Sequence, residues 1–578
     1  SIHTQQQQQA LLLLPQACQA YHTCKINNPQ PTFFLLAQTC QRSSRTSVAY
    51  LQDSLIQTGC KEWRWSGGFD ETSCTCSTIC SRSPFPCPWP KCDSKEMTLV
   101  RAYWQCQRRG MHSVASKVDQ LVRSLPKDIV VDDPDVVTSY NTDWLGQFTG
   151  PEIENVTPSI VLRPTTTEQV SEIMKICHSQ SLPVVPQGGN TGLVGGSVPR
   201  RGDEVVLSLS RLNNILEFDQ VSGVLSCEAG CVLDTLGEYV GKYGYIMPLD
   251  LGSSGTCEIG GNISTNAGGI RLIRYGSLRS NVLGLKVVLA DGTVLDLMNT
   301  LRKDNTGYDL KQLFIGSEGT LGIITAATIM TPPKPKSVNV ALLGLSGFDK
   351  VIHTLMGAKS CLSEILSAVE FWDNSSMDLV VEQKVVPKNP LGQEFPFYML
   401  IETSGSNHEH DMEKIEGFLS DFEYGVLSDS ESRAKQLWEI RENITTALKS
   451  RGGHTYKYDV SIRTPLINAA TEHVKQSLSG KFKDAQVFQY GHVGDGNLHL
   501  NVWNETFDDS LLEAIETSLY GFISEHNGSI SAEHGIGVLK ANKLASTKSP
   551  AVLKQMQGLK QLLDPTNILN PGKVLLQE

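Results

Sequence analysis

The stretch Pro186-Gln-Gly-Gly-Asn190-Thr-Gly-Leu-Val-Gly-Gly196 is a loop with five glycines in eleven residues, and it follows a short apolar run. A second loop of the same kind, Gly260-Gly-Asn-Ile-Ser-Thr-Asn-Ala-Gly-Gly269, lies further along the chain. Glycine lets the backbone approach a ligand closely and adopt positive φ, and successive free N–H groups form anion-binding nests. One such loop is more often an ordinary turn, but the pair indicates a long, phosphate-bearing cofactor that is held mainly by backbone.

Composition and the missing nucleotide-binding patterns exclude several classes of protein. The chain has neither the G-x-G-x-x-G pattern of the Rossmann fold nor the G-x-x-x-x-G-K-[ST] pattern of a P-loop. Its 578 residues suffice for two or three domains, and 40% hydrophobic with 19% charged residues is typical of a globular protein. A net charge of −11 argues against nucleic acid as the main partner. No apolar run approaches the length of about 18 residues that a transmembrane helix needs.

The first 110 residues differ from the rest, and ten of the 15 cysteines lie in the first 106. Residues 1–52 contain no Asp or Glu and are rich in Gln, Ser and Thr, which loosely resembles an organellar transit segment. We therefore interpret 1–110 as a disordered presequence or uncertain translation. Cys74-x-Cys76-x-x-x-Cys80 could form a metal knuckle, but no regular pattern surrounds it. The five later cysteines contain no C-x-x-C pair, which favours buried free thiols in a reducing compartment.

Hydrophobic periodicity from about Ser113 onward predicts an α+β fold with mixed sheets. Thr165-x-x-Glu168 is typical of a capping box that opens a helix. That helix carries an apolar stripe at the spacing i, i+3, i+4, i+7, formed by Val170, Ile173, Met174 and Cys177. Residues 282–297, with Asp291-Gly292 inside, indicate a β-hairpin. Further strands are expected at 159–163, 182–186, 204–209 and 214–219, and Leu233, Leu236, Val240 and Tyr243 mark another helix.

Pro332-Pro-Lys-Pro335 marks a boundary between two α+β regions. Beyond it the pattern predicts helices near 353–366, 412–422 and 435–450, and strands at 397–402 and 498–502. We divide the chain after residue 110 into 111–335, 336–525 and 526–578.

Residues 497–502 form a strand with one polar and one apolar face. Asn497, His499 and Asn501 alternate with Leu498, Leu500 and Val502, so the two sets point to opposite sides of a sheet. The preceding turn, Gly494-Asp-Gly496, can bring His492 back toward His499, and Glu533-His534 follows in the segment Ser531–Gly535.

Two histidines and one glutamate form a ligand set that binds a divalent transition metal and leaves positions open for substrate. The alternative is a pair of hydrogen-bonded histidines, and for the H-x₆-H spacing alone that alternative is the better one. The polar strand face together with the later Glu533 and His534 favours the metal site.

Six stretches together, in the same order, resemble the FAD-linked 2-hydroxy-acid dehydrogenases, which belong to the vanillyl-alcohol-oxidase-type flavoproteins. They are 186–196, 260–269, 302–324, 491–501, 531–537 and 570–573. The resemblance covers the chain from about Ser113 to the C-terminus. It implies an FAD-binding α+β domain at 111–335, a cap-like substrate domain at 336–525, and a C-terminal segment, 526–578, that returns to the flavin and completes the active site.

The resemblance also implies which residues form the site. The FAD contacts would be Gly188, Gly189, Asn190, Thr191, Gly192, Gly260, Gly261, Asn262, Thr265, Asn266, Gly268, Ile324 and Asn570. The metal ligands would be His492, His499 and Glu533. Zn²⁺, Mn²⁺ and Fe²⁺ all accept this set, and of the three we expect Zn²⁺. Some relatives attach the flavin covalently through a histidine in the first loop, but no His lies between Ser179 and Arg200, so we expect non-covalent FAD.

The substrate residues implied by the resemblance are Arg441, Thr445 and Lys457 for carboxylates, with Asn501 and His534 beside the reacting carbon. The i, i+4 spacing of Arg441 and Thr445 places both on one helical face. Arg441 suits bidentate recognition of a carboxylate, and Lys457 supplies a point charge.

The implied activity is oxidation of a D-2-hydroxy acid, with His534 as general base and Asn501 beside it and the flavin as hydride acceptor. Two cationic side chains favour a dicarboxylate, D-2-hydroxyglutarate, with 2-oxoglutarate as product. The resemblance further implies electron-transfer flavoprotein as electron acceptor and a location in the mitochondrial matrix, and a homodimer is a candidate assembly. The alternatives are a D-lactate or glycolate dehydrogenase of the same family, an oxidase that uses O₂, and a non-catalytic flavoprotein subunit.

Overall fold

The computed structural model describes residues 116–576, except 132, 145, 147, 149–159 and 202. The expected presequence and the Cys74–Cys80 motif therefore lie outside the described residues. Within the described part, no helix is both long enough and apolar enough to cross a bilayer.

A four-stranded sheet carries the first glycine loop. Its strands are β1 (Val130–Val131), β2 (Ile160–Leu162), β3 (Val184–Gln187) and β4 (Val205–Ser208), in the order β1-β2-β4-β3. β2, β4 and β3 run parallel, and β1 is antiparallel to β2. Because parallel strands need a crossover connection, the helix Thr167–Gln180 joins β2 to β3. Short helical segments, 116–124 and Pro134–Ser139, precede β2.

The crossover helix begins one residue later than the capping box predicts. The hydroxyl of Thr166, not of Thr165, accepts a hydrogen bond from the Gln169 backbone N–H at 3.2 Å. The Gln169 side chain in turn accepts the Thr165 N–H at 2.7 Å. Glutamine serves at the third helical position as well as glutamate does, so the Glu168 pattern pointed to the wrong partner. The predicted apolar stripe is fully buried.

A five-stranded antiparallel sheet follows. Its strands are β5 (Ile215–Asp219), β6 (Val224–Glu228), β7 (Val282–Val288), β8 (Val294–Leu297) and β9 (Ile323–Met330), in the order β5-β6-β9-β7-β8. β7 and β8 form the predicted hairpin. The helices between these strands are Leu233–Gly241, Ile259–Thr265, Leu272–Tyr275, Leu278–Asn281 and Lys311–Phe314.

The four-stranded and five-stranded sheets share one hydrophobic core. Cys177, Cys227, Cys231 and Cys257 lie in that core as free buried thiols, as predicted. Cys361 is free but exposed. The expectation of burial was wrong for Cys361 because it is the last residue of a surface helix, Phe348–Cys361.

The third sheet has seven antiparallel strands. Its strands are β10 (Ser337–Leu345), β11 (Leu366–Asp373), β12 (Phe397–Gly405), β13 (Gly425–Leu427), β14 (His454–Ser461), β15 (Gln486–Gly491) and β16 (Asn497–Asn504), in the order β13-β10-β12-β11-β15-β16-β14. Alternate residues of these strands enter two different cores: Leu343 packs into one and Leu342 into the other. Both faces of the sheet are therefore covered.

Helices cover the two faces of the seven-stranded sheet separately. One core includes residues of Phe348–Cys361, His408–Leu419, Ile467–Leu478 and Asp509–Glu525. The other includes residues of Asn374–Glu382, Glu431–Glu442 and Ile444–Ser450. The α+β fold with mixed sheets is thus confirmed.

Several predicted helices have different limits in the structure. The helix expected at 412–422 is His408–Leu419, and the helix marked by Leu233 to Tyr243 ends at Gly241. The helix expected at 353–366 is Phe348–Cys361, and Leu366 already begins β11. The helix expected at 435–450 is interrupted at Asn443, whose backbone has φ −92° and ψ 4°. Periodicity does not show such a break because the apolar side chains on both sides of Asn443 still reach the same core.

The C-terminal segment returns to the first glycine loop. After the helix Pro550–Leu563, Ile568 O accepts from Val184 N at 2.7 Å and Asn570 N donates to Val184 O at 2.8 Å. Lys560 is buried and its ammonium group donates to Thr320 O and Leu569 O. It also contacts the buried Asp564 carboxylate at 2.5 Å, and that carboxylate accepts the N–H groups of Ile568 and Leu569. The ion pair therefore fixes the segment that lies beside β3.

We expect Asp564→Asn to destabilise the protein by about 3–5 kcal/mol, because it leaves the buried Lys560 ammonium without its charge partner. The free energy of unfolding from denaturant titration measures this loss. Glu472→Gln, which breaks the exposed pair of Glu472 with Lys475, should cost about 1 kcal/mol or less. Equal losses for the two variants would show that the buried pair does not anchor the C-terminal segment.

Candidate active site

The glycines of the two loops divide into two kinds. A Cβ at Gly189 would lie 2.0 Å from Thr256 O, and one at Gly260 would lie 2.6 Å from the Cβ of Ala229. These two glycines are required because neighbouring backbone and side chains leave no room. A Cβ at Gly192 or Gly261 would meet no atom of the described residues within 4 Å. Their absent side chains leave open space beside the loops, as a bound cofactor requires.

Polar atoms beside the second loop also fit a cofactor. Glu258 and Asn262 are both buried, and neither Glu258 Oε2 nor Asn262 Oδ1 has a hydrogen-bond partner among the described residues. Burial raises the pKa of the Glu258 carboxyl to about 8, with Arg163 opposing the shift. Glu258 Oε2 lies 3.4 Å from the position of a Cβ at Gly188. Orphaned buried polar atoms call for a partner, and a polar ligand between the two loops would supply it.

Two predicted FAD contacts use their side chains within the protein. Asn190 Nδ2 donates to Thr142 O at 2.7 Å, and its Oδ1 accepts from Ser197 Oγ at 2.8 Å. Asn570 Nδ2 donates to Gly196 O and Glu318 O, and its Oδ1 accepts from Lys573. Both have positive φ. Their side chains therefore shape the loops. The backbone N–H of Asn190 is left for a cofactor, whereas that of Asn570 already donates to Val184 O.

The other predicted FAD contacts lie in the same region. Thr265 Oγ1 donates to Gly261 O at 3.2 Å, and Asn266, with φ 50°, accepts the Arg279 N–H at 3.1 Å. Thr191 belongs to the first loop without being buried, and Ile324 is buried in β9. Gly268 contacts Glu533, because a Cβ there would lie 2.6 Å from Glu533 Oε2.

The three predicted metal ligands converge. β15 and β16 pair antiparallel with Tyr490 opposite His499, so the turn after β15 brings His492 back to β16. His492 Nε2 lies 3.4 Å from His499 Nε2 and 3.7 Å from Glu533 Oε1, and the latter lies 3.5 Å from His499 Nε2. Ligand atoms around a tetrahedral Zn²⁺, with bonds of about 2.0–2.2 Å, lie roughly 3.3–3.6 Å apart. The triangle therefore fits a metal ion at its centre.

The two histidines lie in different electrostatic surroundings. Burial lowers the pKa of His499 to about 3, so this imidazole is neutral and offers its lone pair. Burial would also lower the pKa of His492, but the carboxylates of Glu370 and Glu533 raise it to about 10. A metal at this site would have to displace a proton from His492.

Asp459 is a second acidic group at the cluster. Asp459, His499, Glu533 and His534 offer ligand atoms that all lie within 4.8 Å of one another. However, Asp459 Oδ2 already accepts the backbone N–H groups of residues 532, 533 and 534, each at 3.0 Å. Asn497 Nδ2 donates to its Oδ1 at 2.9 Å. We therefore assign Asp459 to positioning of the 532–534 backbone and not to the metal.

The charge of Asp459 is stabilised by its neighbours. Burial would raise the pKa of this carboxyl, but His534, Lys540 and His499 together lower it well below its usual range. Asp459 is not predictable from the sequence because its position in β14 shows no motif. The register explains its role, since Asp459 lies directly opposite His499 on β16.

Two of the predicted carboxylate-binding residues, Arg441 and Thr445, contact Tyr490. The Arg441 guanidinium lies over the Tyr490 ring, 4.7 Å from its centroid, and Thr445 Oγ1 lies 2.7 Å from the Tyr490 hydroxyl. The helix break at Asn443 separates Arg441 from Thr445. The prediction of one continuous helical face was therefore wrong, and their shared contact with Tyr490 brings them together instead.

Lys457 and Asn501 form a cross-strand pair on β14 and β16, so both side chains lie on the face that carries His499. Asn501 is buried, and its amide has no hydrogen-bond partner among the described residues. Lys457 is partly buried, and burial together with Lys449 lowers its pKa. In the described part of the chain it has no carboxylate partner. A cation and an amide are thus available for a ligand.

His534 lies at the edge of the cluster. Its ring stacks on the His499 ring with centroids 5.8 Å apart. Nε2 lies 3.9 Å from Glu533 Oε1 and Nδ1 lies 3.9 Å from Asp459 Oδ2, and 26% of the side chain is exposed. This imidazole can therefore reach a ligand that is bound at the cluster.

Glu370 and Tyr490 are further residues of this region that sequence analysis missed. Glu370 is fully buried on β11 and contacts His492 and Arg441. The available signal was a charged residue inside the apolar run Ala368-Val-Glu-Phe-Trp372, because a charge in a buried strand requires partners.

The glycine loops and the histidine cluster adjoin each other. Gly269 N donates to Glu533 Oε2 at 3.0 Å. The other oxygen of Glu533 faces His492 and His499. One carboxylate therefore joins the second glycine loop to the candidate metal centre.

Two family models and several known proteins match this chain. The family described as "FAD binding domain" matches residues 158–298, and "FAD linked oxidases, C-terminal domain" matches residues 334–574. The chain is 50% identical over 459 residues to mitochondrial D-2-hydroxyglutarate dehydrogenase of Danio rerio, which covers 78% of this chain and 84% of that protein. It is 51% identical over 453 residues to the Arabidopsis thaliana protein of the same name, over 77% of this chain and 79% of that protein.

Among solved structures, p-cresol methylhydroxylase with bound substrate is similar, with a TM-score of 0.63. The match covers 80% of this chain and 97% of that chain, at 17% sequence identity. At this identity the likeness concerns the fold.

We expect Gly192→Ala to leave the stability of the FAD-free protein unchanged but to weaken FAD binding about 5- to 150-fold. The added methyl group meets no atom of the described residues within 4 Å, but it enters the space assigned to the cofactor, where overpacking costs about 1–3 kcal/mol. Denaturant unfolding of FAD-free protein and FAD titration by flavin fluorescence measure the two effects.

Two further substitutions are the controls. Gly189→Ala should destabilise even the FAD-free protein, because its Cβ collides with Thr256 O. Gly237→Ala, in a helix and with no described atom near its Cβ, should change neither quantity. Unchanged FAD affinity in Gly192→Ala would contradict the placement of the cofactor on this loop.

Proposed function

This chain belongs to the FAD-linked D-2-hydroxy-acid dehydrogenases, as its motifs predict, and from that premise we propose that it oxidises D-2-hydroxyglutarate to 2-oxoglutarate. The relatives named D-2-hydroxyglutarate dehydrogenase support this substrate. The observation that carries the proposal is the cationic side chain of Lys457, which has no carboxylate partner within the described residues and lies on the same sheet face as His499.

A substrate with two carboxylates fits the distribution of charge. Arg441 is already paired with Glu370, whereas Lys457 is partly buried without an anion. Burying a charge without a partner is costly, so a ligand carboxylate near Lys457 would offset that cost. We propose that Lys457, Arg441 and Thr445 bind the carboxylate that is remote from the reacting carbon.

His492, His499 and Glu533 would hold a divalent metal, of which we propose Zn²⁺. A metal in this position supplies Lewis acidity that lowers the pKa of a bound hydroxyl. His534 is placed to take the hydroxyl proton, a role that is worth typically ~10²–10⁴-fold in rate. Asn501 can donate from its amide to a substrate oxygen, because its hydrogen-bonding capacity is unused within the described chain.

FAD would bind at the glycine loops, through backbone at Gly188, Gly189, Asn190, Thr191, Gly192 and the 260–268 segment. When bound, FAD supplies hydride acceptance at the reacting carbon. We propose non-covalent binding, since no histidine lies between Ser179 and Arg200 to form a covalent link. The hydrogen bond from Gly269 N to Glu533 would hold the second glycine loop next to the metal centre.

The cellular setting is also a proposal. The relatives are named as mitochondrial proteins, and residues 1–52 lack acidic groups, so we propose a mitochondrial matrix enzyme with a transit segment. Electron-transfer flavoprotein is the proposed acceptor of the electrons, on the basis of the family resemblance.

A D-lactate or glycolate dehydrogenase is the second candidate. Such monocarboxylates would use the metal centre and His534 in the same way but would leave Lys457 without a partner. Lys457 is therefore the residue that separates the two functions.

We expect Lys457→Met to raise the KM for D-2-hydroxyglutarate about 10- to 100-fold, because a hydrogen bond to a charged group is worth roughly 1.5–3 kcal/mol. Activity on D-lactate should change far less, since lactate has no second carboxylate. Steady-state kinetics with both acids and an artificial electron acceptor measure the difference. Lys449→Met removes an equal charge from a neighbouring exposed position and is the matched control. Equal effects on both acids would favour a monocarboxylate substrate.

We expect His499→Ala to lose its bound metal and to lower turnover by at least about 10²-fold, since metal polarisation supplies several kcal/mol to the transition state. Elemental analysis of purified protein gives the metal content, and dehydrogenation with an artificial acceptor gives turnover. His473→Ala, at an exposed position of the helix Ile467–Leu478, should match the wild type. Near-normal turnover in His499→Ala would rule out the metal centre.

A further inference from the structure

Glu370 links two parts of the site that the proposed function treats separately. Its Oε1 lies 2.7 Å from His492 Nδ1, and its Oε2 lies 2.8 Å from Arg441 Nε. The carboxylate has no exposed surface, and the side chains of His492 and Arg441 are only 8% and 9% exposed. One fully buried group therefore touches a candidate metal ligand on one side and a candidate substrate-binding cation on the other.

The contact with His492 determines which ring nitrogen faces the cluster. A carboxylate only accepts, so Nδ1 must carry the proton. When His492 is neutral, its lone pair is therefore on Nε2. This atom lies 3.4 Å from His499 Nε2. Metal-bound histidines commonly donate their second N–H to a carboxylate in this way, and loss of such a partner typically lowers metal affinity 10- to 100-fold.

The contact with Arg441 is an ion pair of 2.8 Å without hydrogen-bond geometry at Arg441 Nε, and it neutralises the guanidinium that lies over the Tyr490 ring. An arginine side chain carries about 2 kcal/mol of rotamer entropy. Because the ion pair with Glu370 already restricts Arg441, less of this entropy is lost when a carboxylate binds. The same Tyr490 contacts Thr445 through its hydroxyl. Glu370 therefore contacts Arg441 directly, and Tyr490 joins Arg441 to Thr445.

We propose that Glu370 is the positioning residue on which both metal affinity and recognition of the second substrate carboxylate depend. This inference rests on the proposed function, because it takes the metal site and the role of Arg441 from it. It adds that the two are coupled through a single carboxylate that touches neither metal nor substrate.

A neutral amide in place of the carboxylate cannot satisfy both neighbours. The oxygen of a glutamine can accept from His492, but its NH₂ group would then face Arg441 Nε, which is also a donor. The reverse orientation places the NH₂ group against His492 Nδ1. In either orientation, Glu370→Gln should therefore weaken the contact with His492 or the contact with Arg441. It also removes the negative charge that faces both residues.

Glu402 offers a matched control. It is a buried carboxylate on the adjacent strand β12, and it accepts from Trp438 Nε1 at 2.9 Å and from Ser367 Oγ at 2.8 Å. It also pairs with Arg271 at 3.1 Å. None of these partners is a candidate metal ligand or substrate residue, so Glu402→Gln reproduces the loss of a buried charge without touching the site.

The experiment compares full-length wild type, Glu370→Gln and Glu402→Gln, each with FAD bound. Zn²⁺ affinity is measured by competition with a chelator, and KM is measured with D-2-hydroxyglutarate and with D-lactate. For Glu370→Gln we expect Zn²⁺ affinity to fall about 10- to 100-fold and the KM for D-2-hydroxyglutarate to rise more than the KM for D-lactate. Glu402→Gln should keep both quantities within about threefold of the wild type, whatever its stability.

A double substitution separates positioning from general damage. In an Arg441→Lys background, Glu370→Gln should raise the KM for D-2-hydroxyglutarate little further, because its effect on the substrate passes through Arg441. The loss of Zn²⁺ affinity should persist there, because that effect passes through His492. Additive KM effects would overturn the inference.

The remaining outcomes are distinct. Unchanged Zn²⁺ affinity in Glu370→Gln, with normal binding by the wild type, overturns the inference and leaves the proposed function intact. Failure of the wild type to bind Zn²⁺ overturns the metal centre and this inference with it. If Glu370→Gln does not fold, Glu370→Asp serves instead: it keeps the charge but is one methylene shorter, so it should also lose both Zn²⁺ affinity and dicarboxylate recognition.

Discussion

The carboxylate of Asp459 is the constraint on which the site depends. It is fully buried in β14, and it gathers the backbone N–H groups of 532, 533 and 534 around one oxygen. Three successive N–H groups around an anion form a nest, so the charge folds this segment into a fixed turn. The side chains of Glu533 and His534 leave that turn toward His499, which lies opposite Asp459 on the neighbouring strand. A segment far along the chain is thereby held against the strand that carries the histidine.

A second buried carboxylate, beside the glycine loops, also accepts backbone N–H groups of this segment. Glu318, with φ 53°, accepts the N–H groups of Ile536 and Gly537 at 2.7 Å each. Burial raises its pKa, although these backbone hydrogen bonds oppose the shift. Asn570 then ties Glu318 O to Gly196 O. The segment 532–537 is thus held from both ends, by Asp459 of the seven-stranded sheet and by Glu318 beside the glycine loops, which explains how the cluster and the loops come to adjoin each other.

The sequence predicts the parts of this site that depend on local pattern. Alternation in residues 497–502 correctly separates the polar face from the apolar face, because successive side chains of a β-strand point to opposite sides of the sheet. The glycine loops are visible because only glycine fits at positions such as Gly189. Asp459 and Glu370 are not visible in this way, since each acts through strand register and through contacts with residues 70 or more positions away. The break at Asn443 is hidden because apolar side chains on both sides of it still reach the same core.

Under the proposed function, the two cations near the cluster would separate dicarboxylates from monocarboxylates. Arg441 has its own carboxylate, so its charge is offset before any ligand binds and its geometry is already fixed. Lys457 has no such partner in the described chain, and burial lowers its pKa. A substrate carboxylate bound as proposed would gain orientation from Arg441 at little entropic cost and charge complementarity from Lys457. A monocarboxylate held at the metal centre would gain neither, and it would leave Lys457 to be desolvated without compensation. Discrimination then arises as much from the penalty on the wrong acid as from attraction of the right one.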